Sequence, residues 1–516
     1  MGAVLFGVLD EGGDSLTEST EDTENGSEAE RRFPDHVPES LQFPPLRDLR
    51  ALRERKSLRA VFAQQRHAYD VHMHLIATSV VICLFSSHSE PPLDPRVDGA
   101  KVTTLPAPVV STVADIVRAP APEPVLRVAT RAADVPVSEE SYALARKAIV
   151  SGLTFLAQRQ SSRGTWFEGE EVEPTDMEPR KRAASVAVTA MGLKAFVQAD
   201  GILTEPSASS LTTARASARR AIDAAMTDAK VMDAVAAGGI GNYVMSSVAS
   251  AFAAVGDADA KLGAQRAVRW LTDNQWDDAE GIDPTKDWYG GAGYGNGKRP
   301  DLSNTQMMLD AMHDAGVSAD DPAMQRALAF VARTQNRKST NPAQWAQDGA
   351  GDGGFVYSPA NGGESFASDA AGEGRYGEKL AVKSLRSYGS MTYAGFKSML
   401  YAGLSQDDPR VKDALGWIAR HYTFEENPGL GQQGYFYYIH AMARALHASR
   451  LDTITDAKGA RREWRAELIE AIAARQRPDG SWKNTVERWE EANEELATIY
   501  CVLALEEAIK PLKTTE

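Results

Sequence analysis

Gln476-Arg477-Pro478-Asp479-Gly480-Ser481-Trp482 closes a helical run beginning at Ile472, and Gln160-Ser161-Ser162-Arg163-Gly164-Thr165-Trp166 closes another beginning at Phe155. Both stretches read Gln-x3-Gly-x-Trp. Weaker copies lie between them. Trp270–Gln275 continues to Gly290-Gly291, and Phe330–Gln335 continues to Gly353-Gly354-Phe355. Trp417–Tyr422 carries a Tyr where the Gln would stand, and the long gap after Gln160 leaves room for a degraded copy near 212–235. Self-similarity of this kind marks a chain built from one supersecondary unit, each copy burying its apolar face on the next.

Each copy is followed by a second run, rich in Ala and other small residues: Ala183–Ala199, Ile240–Val255, Leu302–Ala315, Ser390–Leu404, Gly434–Ser449 and Glu494–Ile509. These runs are apolar or small on most faces, as buried helices are. Their partners, near 139–160, 211–235, 260–275, 322–336, 408–422 and 463–476, are amphipathic and charged, as outer helices are. No strand pattern intervenes. Six outer–inner pairs predict an all-α chain whose body, 138–510, is a closed α/α toroid, since an open array would leave end faces exposed. Gln160, Trp166, Gln476 and Trp482 then read as staples between repeats, the Gln capping a neighbouring helix end and the Trp stacking on it.

The first 137 residues read differently. Residues 1–30 hold nine acids, Asp10 to Glu30, and no Lys or Arg. Such a stretch cannot bury enough apolar surface to offset its chain entropy, so 1–72 reads as a disordered or misassigned extension. Residues 47–66 turn basic, and an apolar run over 75–85 follows. That run has the length of a signal-peptide core and is shorter than the ~20 apolar residues of a membrane span. Residues 73–90 are therefore expected to be a signal peptide or anchor, placing the body outside the cytoplasm, in the periplasm or envelope. Residues 91–137 carry nine of the 25 prolines and form a semi-rigid linker.

Composition removes whole classes of function. Of 516 residues, 25% are charged, and 56 Lys and Arg stand against 71 Asp and Glu for a net charge of −15. Nucleic acid needs a basic footprint, so it is not an expected partner. Two cysteines, Cys83 and Cys501, build neither a disulfide framework nor a Cys-rich zinc cluster. No nucleotide, flavin or metal motif is present, and no cofactor is expected.

At its Gln-Trp repeats the chain resembles the squalene cyclase and protein prenyltransferase superfamily. The resemblance covers about 138–510 and implies an α/α barrel with a deep apolar cavity for polyprenyl chains. Squalene-hopene-type cyclases carry Asp-x-Asp-Asp-Thr at the start of an inner helix. The stretch that matches is Asp301-Leu302-Ser303-Asn304-Thr305. Asp301 keeps the first acid, Ser303 stands where the proton donor would be, and Asn304 replaces the third acid. A hydroxyl cannot protonate an olefin, because that needs a carboxylic acid held protonated by its neighbours. The zinc-holding Asp-x-Cys of protein prenyltransferases would fall on the same residues. Ser303 occupies the Cys position and no Cys lies between 84 and 500, which excludes zinc-dependent prenylation.

Candidate catalytic residues are therefore Asp301, Ser303 and Asn304. Trp288, Tyr294, Tyr388, Tyr393, Tyr437 and His440 are candidates to line a substrate site, since aromatic faces suit a carbocation or an apolar ligand. The Gly-rich loop 349–377 is a candidate lid. Glu490, Glu491, Glu494 and Glu495 cluster near the sixth inner helix and read as a solvated charge run or, in a sugar-cleaving toroid, as the source of two paired acids. Three functions remain open. One is a cyclase-like lyase or isomerase that acts on or binds a polyprenyl or other apolar chain. The second is a non-catalytic exported toroid holding a ligand or an envelope partner, and the third a carbohydrate-active toroid. The fate of Asp301 separates the first two: a raised pKa beside a dry aromatic cavity favours catalysis, and use as a helix cap favours binding.

Overall fold

The computed structural model describes residues 136–167, 177–202, 208–228, 232–233, 235, 238–295, 297–367 and 384–511. The expected extension, export segment and nearly all of the linker lie outside these residues, as does the end of the candidate lid loop. The body alternates outer and inner helices throughout. The outer helices are α1 (Glu139–Arg159), α3 (Ala208–Thr227), α5 (Ala258–Asp273), α7 (Pro322–Thr334), α9 (Pro409–Arg420) and α11 (Trp464–Ala473). The inner helices are α2 (Pro179–Gln198), α4 (Gly241–Val255), α6 (Leu302–Asp314), α8 (Gly389–Tyr401), α10 (Tyr435–Ala448) and α12 (Glu494–Ile509). Each inner helix packs on the next, and α12 packs back on α2, so the inner ring is closed. The chain is an all-α toroid. The strand pairing among the described residues is minor: four isolated bridges in loops and one short ribbon, β1 (Ile454–Thr455) against β2 (Arg461–Arg462).

The Gln-Trp motif shows how one repeat locks to the next. Gln160 Nε2 donates to the Gly164 carbonyl of its own loop and to Ala214 of α3, both at 3.0 Å. Gln275 bridges Gly290 and Ala323, Gln335 bridges Gly353 and Arg410, and Gln476 bridges Gly480 and Ala148. In all four copies the loop glycine has positive φ and sits against the outer-helix carbonyl three residues further on. A Cβ on Gly353 would lie 2.4 Å from the Asp413 oxygen, and one on Gly290 would lie 1.8 Å from that of Arg326. The staple expected at Gln160 and Gln476 is present, with a different geometry. The glutamine binds the flank of the next outer helix, at a carbonyl already inside it, rather than capping its end.

The tryptophans point inward. Trp166 Nε1 donates to Leu156 at 2.8 Å and Trp482 Nε1 to Ile472 at 2.9 Å, each ten residues back on its own outer helix. Their backbone N–H groups donate to Thr189 and Thr498 on the inner ring, both at 3.1 Å. Phe355 N–H meets Thr392 and Ala292 N–H meets Thr305 in the same way. Trp166 lies over Gly192 and Phe355 over Gly395, where a Cβ would come within 2.7 and 2.2 Å of the rings. In the third repeat the aromatic becomes Ala292 and the equivalent glycine becomes Met308, an exchange of bulk between the two sides.

Candidate functional site

The connections from outer to inner helix are long, and those from inner to outer helix are mostly short. The long ones gather at the face where the inner helices begin, and Asp301 stands there. Its backbone is held from both sides, its N–H on Ala292 O at 3.2 Å and the next N–H, of Leu302, on Tyr357 O at 2.7 Å. Its side chain caps α6. Oδ1 accepts from Asn304 N–H and Oδ2 from the Asn304 side-chain amide, both at 2.8 Å. Asp301 is 1% exposed. Burial pushes its carboxyl up to about 7, against the pull of Asn304, Tyr357 and Arg299.

Capping is what the equivalent places in the ring also do, with other residues. Ser390 N–H at the start of α8 donates to Asn427 Oδ1 at 2.9 Å. Glu491 takes Phe436 and Tyr437 N–H at the start of α10, and Asn493 takes Leu496 N–H at the start of α12. Tyr388 stands where Asp301 would in its repeat, with its N–H on Phe355 O. Four of the inner helices, α6, α8, α10 and α12, thus take a side-chain cap from whatever residue is near, while α2 and α4 have none.

The three motif residues part company beyond Asp301. Asn304 serves the cap and its Oδ1 receives Asn242 Nδ2 at 3.2 Å. Ser303 turns into the ring, 2.8 Å from the Tyr243 hydroxyl and 3.2 Å from that of Tyr437. Thr305, the fourth matched residue, is the repeat staple. Of the predicted lining residues, Tyr294, Tyr388 and Tyr437 surround Asp301 closely enough to feel its charge. Tyr294 reaches Tyr357 at 3.4 Å, hydroxyl to hydroxyl, and tilts against Tyr243. Trp288 does not join them. It packs edge-on against Trp276 on the outside of its loop, with Nε1 on Asn361. Tyr393 packs edge-on against Tyr438. His440 lies below Tyr437, beside Tyr500, and burial holds it well below the usual imidazole range.

Above Asp301, the described part of the candidate lid closes down. Phe366 packs on Tyr357 at 4.3 Å and on Trp489 at 5.7 Å, with the Arg488 guanidinium over both Phe366 and Trp489. Arg299 lies over Tyr357 and pairs with Glu364. The acidic cluster is spent on structure. Glu491 caps α10 and holds Asn484, Glu495 holds Phe167 N–H and faces Arg159, and Glu494 pairs with Arg477. Three of the four carboxylates of that cluster thus have structural partners.

Ser303 begins a polar chain running down the ring axis. Gln306 donates to Tyr437 Oη at 3.2 Å, and Lys397 Nζ donates to Gln306 Oε1 at 2.8 Å and Asp310 Oδ2 at 2.7 Å. Arg444 Nε lies 3.6 Å from Asp310, and its terminal nitrogens hold Asp314 at 2.9 and 3.2 Å. Lys194 meets the same Asp314 carboxylate at 2.6 Å. Burial brings Lys397 down to about 8, with Asp310 opposing, while Arg444 and Lys194 outweigh burial and hold Asp314 well below the usual carboxylate range. Lys194, Lys397, Arg444, Asp310 and Asp314 were missed in the sequence. Their signal was charge inside Ala-rich runs that had to be buried.

The axial chain ends at the opposite face, where the inner helices stop. Two neighbouring cavities open there, of about 860 Å³ and 420 Å³, sharing Asp314, Glu507, Lys510 and Pro511. The larger is bordered by Tyr401 and His313, stacked at 3.8 Å, and by Arg444 and His447. Neither lies at the Asp301 face.

Among solved structures, the chain is similar to the type II terpene cyclase MstE from Scytonema in its apo form. Identity is 14% and the TM-score 0.27, over 71% of this chain and 98% of that one. A variant of that cyclase in complex with geranylgeranyl dihydroxybenzoate, its substrate, gives 13% and 0.29 over 73% and 99%. A protein from Actinoplanes gives 13% and 0.30 over 71% and 100%. No protein-family model and no curated protein matches the chain. At this level of similarity the toroid rests on the chain's own helix order and repeated contacts.

Proposed function

We propose that the protein is an exported, ligand-binding α/α toroid and not an olefin-protonating cyclase. The observation that carries this is the use of Asp301. Both of its oxygens are committed to Asn304 and the start of α6, and the residue in the donor position is Ser303, hydrogen-bonded between two tyrosines. A carboxyl that caps a helix is held by donors, and donors favour its anion. Protonating an alkene needs a carboxylic acid with its proton directed at the substrate. The axis below, where a polyprenyl chain would lie, is occupied by hydrogen-bonded side chains from five inner helices. Export rests on the apolar run 75–85 and the Pro-rich linker.

A second reading has one observation in its favour. Asp301 is buried among tyrosines, and its carboxyl, pushed up to about 7, carries a proton for part of the time at neutral pH. That is a property of general acids. One experiment separates the two. The full chain, native and Asp301→Asn, is extracted for bound small molecules and then incubated with squalene and geranylgeranyl diphosphate, with products followed by mass spectrometry. Binding predicts a co-purified ligand and no cyclised product from either chain. A cyclised product that Asp301→Asn fails to make would overturn the proposal in favour of a cyclase with a reduced acid motif.

A further inference from the structure

The smaller cavity is lined by a buried carboxyl that the protein leaves without a hydrogen-bond partner. The buried charges at this end of the ring are Lys194, Lys397, Arg444 and Arg465 against Asp310, Asp314, Glu506 and Glu507, and Arg465 is turned to the backbone carbonyls of Glu507 and Ala508. Lys397 faces Asp310, and Arg444 and Lys194 share Asp314. Glu507 lies 3.6 Å from Lys510, a half-exposed residue at the mouth, and 4.0 Å from His447. Glu506 is left over. It is 3% exposed, it lines the 420 Å³ cavity, and neither of its oxygens has a hydrogen-bond partner. Unpartnered buried carboxyls are costly and rare, and one beside an open cavity points to a missing donor.

Two further features define that donor. Helices α2, α4, α6 and α12 all end around this cavity. Their carbonyl ends give the space a negative potential that favours cations. The remaining walls set Tyr142, Ser250 and Gln198, whose Oε1 also lacks a partner, beside the apolar Val197, Ile202, Ala253, Ala254 and Ile509. A ligand that fits carries one positive charge with N–H donors at one end and a short apolar body at the other. Resting on the binding reading above, we infer that this cavity is a site for an organic ammonium ion, whose head pairs with Glu506 and whose hydrocarbon part lies along the α2, α4 and α12 ends. Burial and the neighbouring Glu507 hold the empty Glu506 well above the usual carboxylate range, against Lys194 and Lys510.

The test is calorimetric titration of the full chain with n-hexylammonium, and with 1-hexanol and hexanoate as probes of the same length. Native protein is expected to bind hexylammonium at least tenfold more tightly than either of the other two. Glu506→Gln, which keeps the shape, is expected to lose at least tenfold in affinity for hexylammonium. Ala253→Phe, which fills the wall and leaves Glu506 in place, is expected to lose it too. Three results would each overturn the inference: no saturable binding of hexylammonium below about 10 mM, hexanoate binding as well as the amine, or Glu506→Gln binding like native protein. Failure here is distinct from failure of the binding reading. A co-purified ligand without a cationic nitrogen would sink the ammonium site alone, and Asp301-dependent cyclisation would sink the binding reading.

Discussion

Asp301 carries two opposed demands in one carboxyl. The start of α6 wants an anion, and the surrounding tyrosines exclude the water that would solvate it. Burial wins by enough to bring the group from its ordinary 3.8 to about 7. The consequence for stability has a definite sign. A carboxyl raised on folding adds stability below its unfolded value and loses it as pH climbs to the folded one. The native chain is therefore expected to lose stability relative to Asp301→Asn as pH rises from about 4 to about 7, and to show a constant difference above that. His421 and His447, lowered by burial to about 4, act in the opposite direction over the same range but are common to both chains. Urea unfolding of the two proteins at several pH values checks this, and a pH-independent difference would refute it. Asp301 was legible in the sequence, but the choice between acid and cap was not, because a cap is defined by where α6 begins against the Tyr357 and Ala292 loops.

The repeat was legible at the scale of the element because three positions carry it and two are unusual residues. In the first and last copies a Gln, a Gly four residues on and a Trp two residues after that need no structure to be seen. The fourth member was hidden in plain composition. Thr189, Thr305, Thr392 and Thr498 each receive the N–H at the aromatic position, but a single Thr in an Ala-rich helix announces nothing. Trp288 shows the opposite error. Its position ahead of α6 resembles that of Tyr294, yet the loop carries it outward to Trp276. The staple predicts that glycines of similar backbone angle differ sharply in tolerance. Gly353 (φ 82°) abuts the Asp413 carbonyl, and Gly281 (φ 74°) has no other atom near its missing Cβ. Gly353→Ala is expected to cost well over the about 1 kcal/mol of an ordinary glycine substitution. Gly281→Ala, which bears only the backbone strain, is expected to cost about 1 kcal/mol. Equal losses in a chemical melt would mean that the Gly353 contact is not tight.

At the scale of the molecule, the axis could not be read because its members come from five inner helices between residues 194 and 444, and only the closed ring brings them together. Removing one of them should be far worse than removing a pair. Lys397→Met leaves Asp310 buried opposite an apolar chain, and is expected to cost about 3–5 kcal/mol. Lys397→Met with Asp310→Leu is expected to recover most of that loss. Additive losses in a double-mutant cycle would show that the pair is not coupled. Ring closure has its own consequence. The seam joins Gln476 to Ala148 and Glu495 to Phe167, contacts spanning 328 residues of chain. During synthesis the first helices must wait with an uncovered flank until the last pair emerges, which makes a ribosome-bound chain the most aggregation-prone form of this protein. The same seam brings the first and last helices side by side, so a circular permutant joined there and opened in the 315–321 turn should fold to the same ring. In that permutant the seam would form early, and the bond between α6 and α7 would become the last to close.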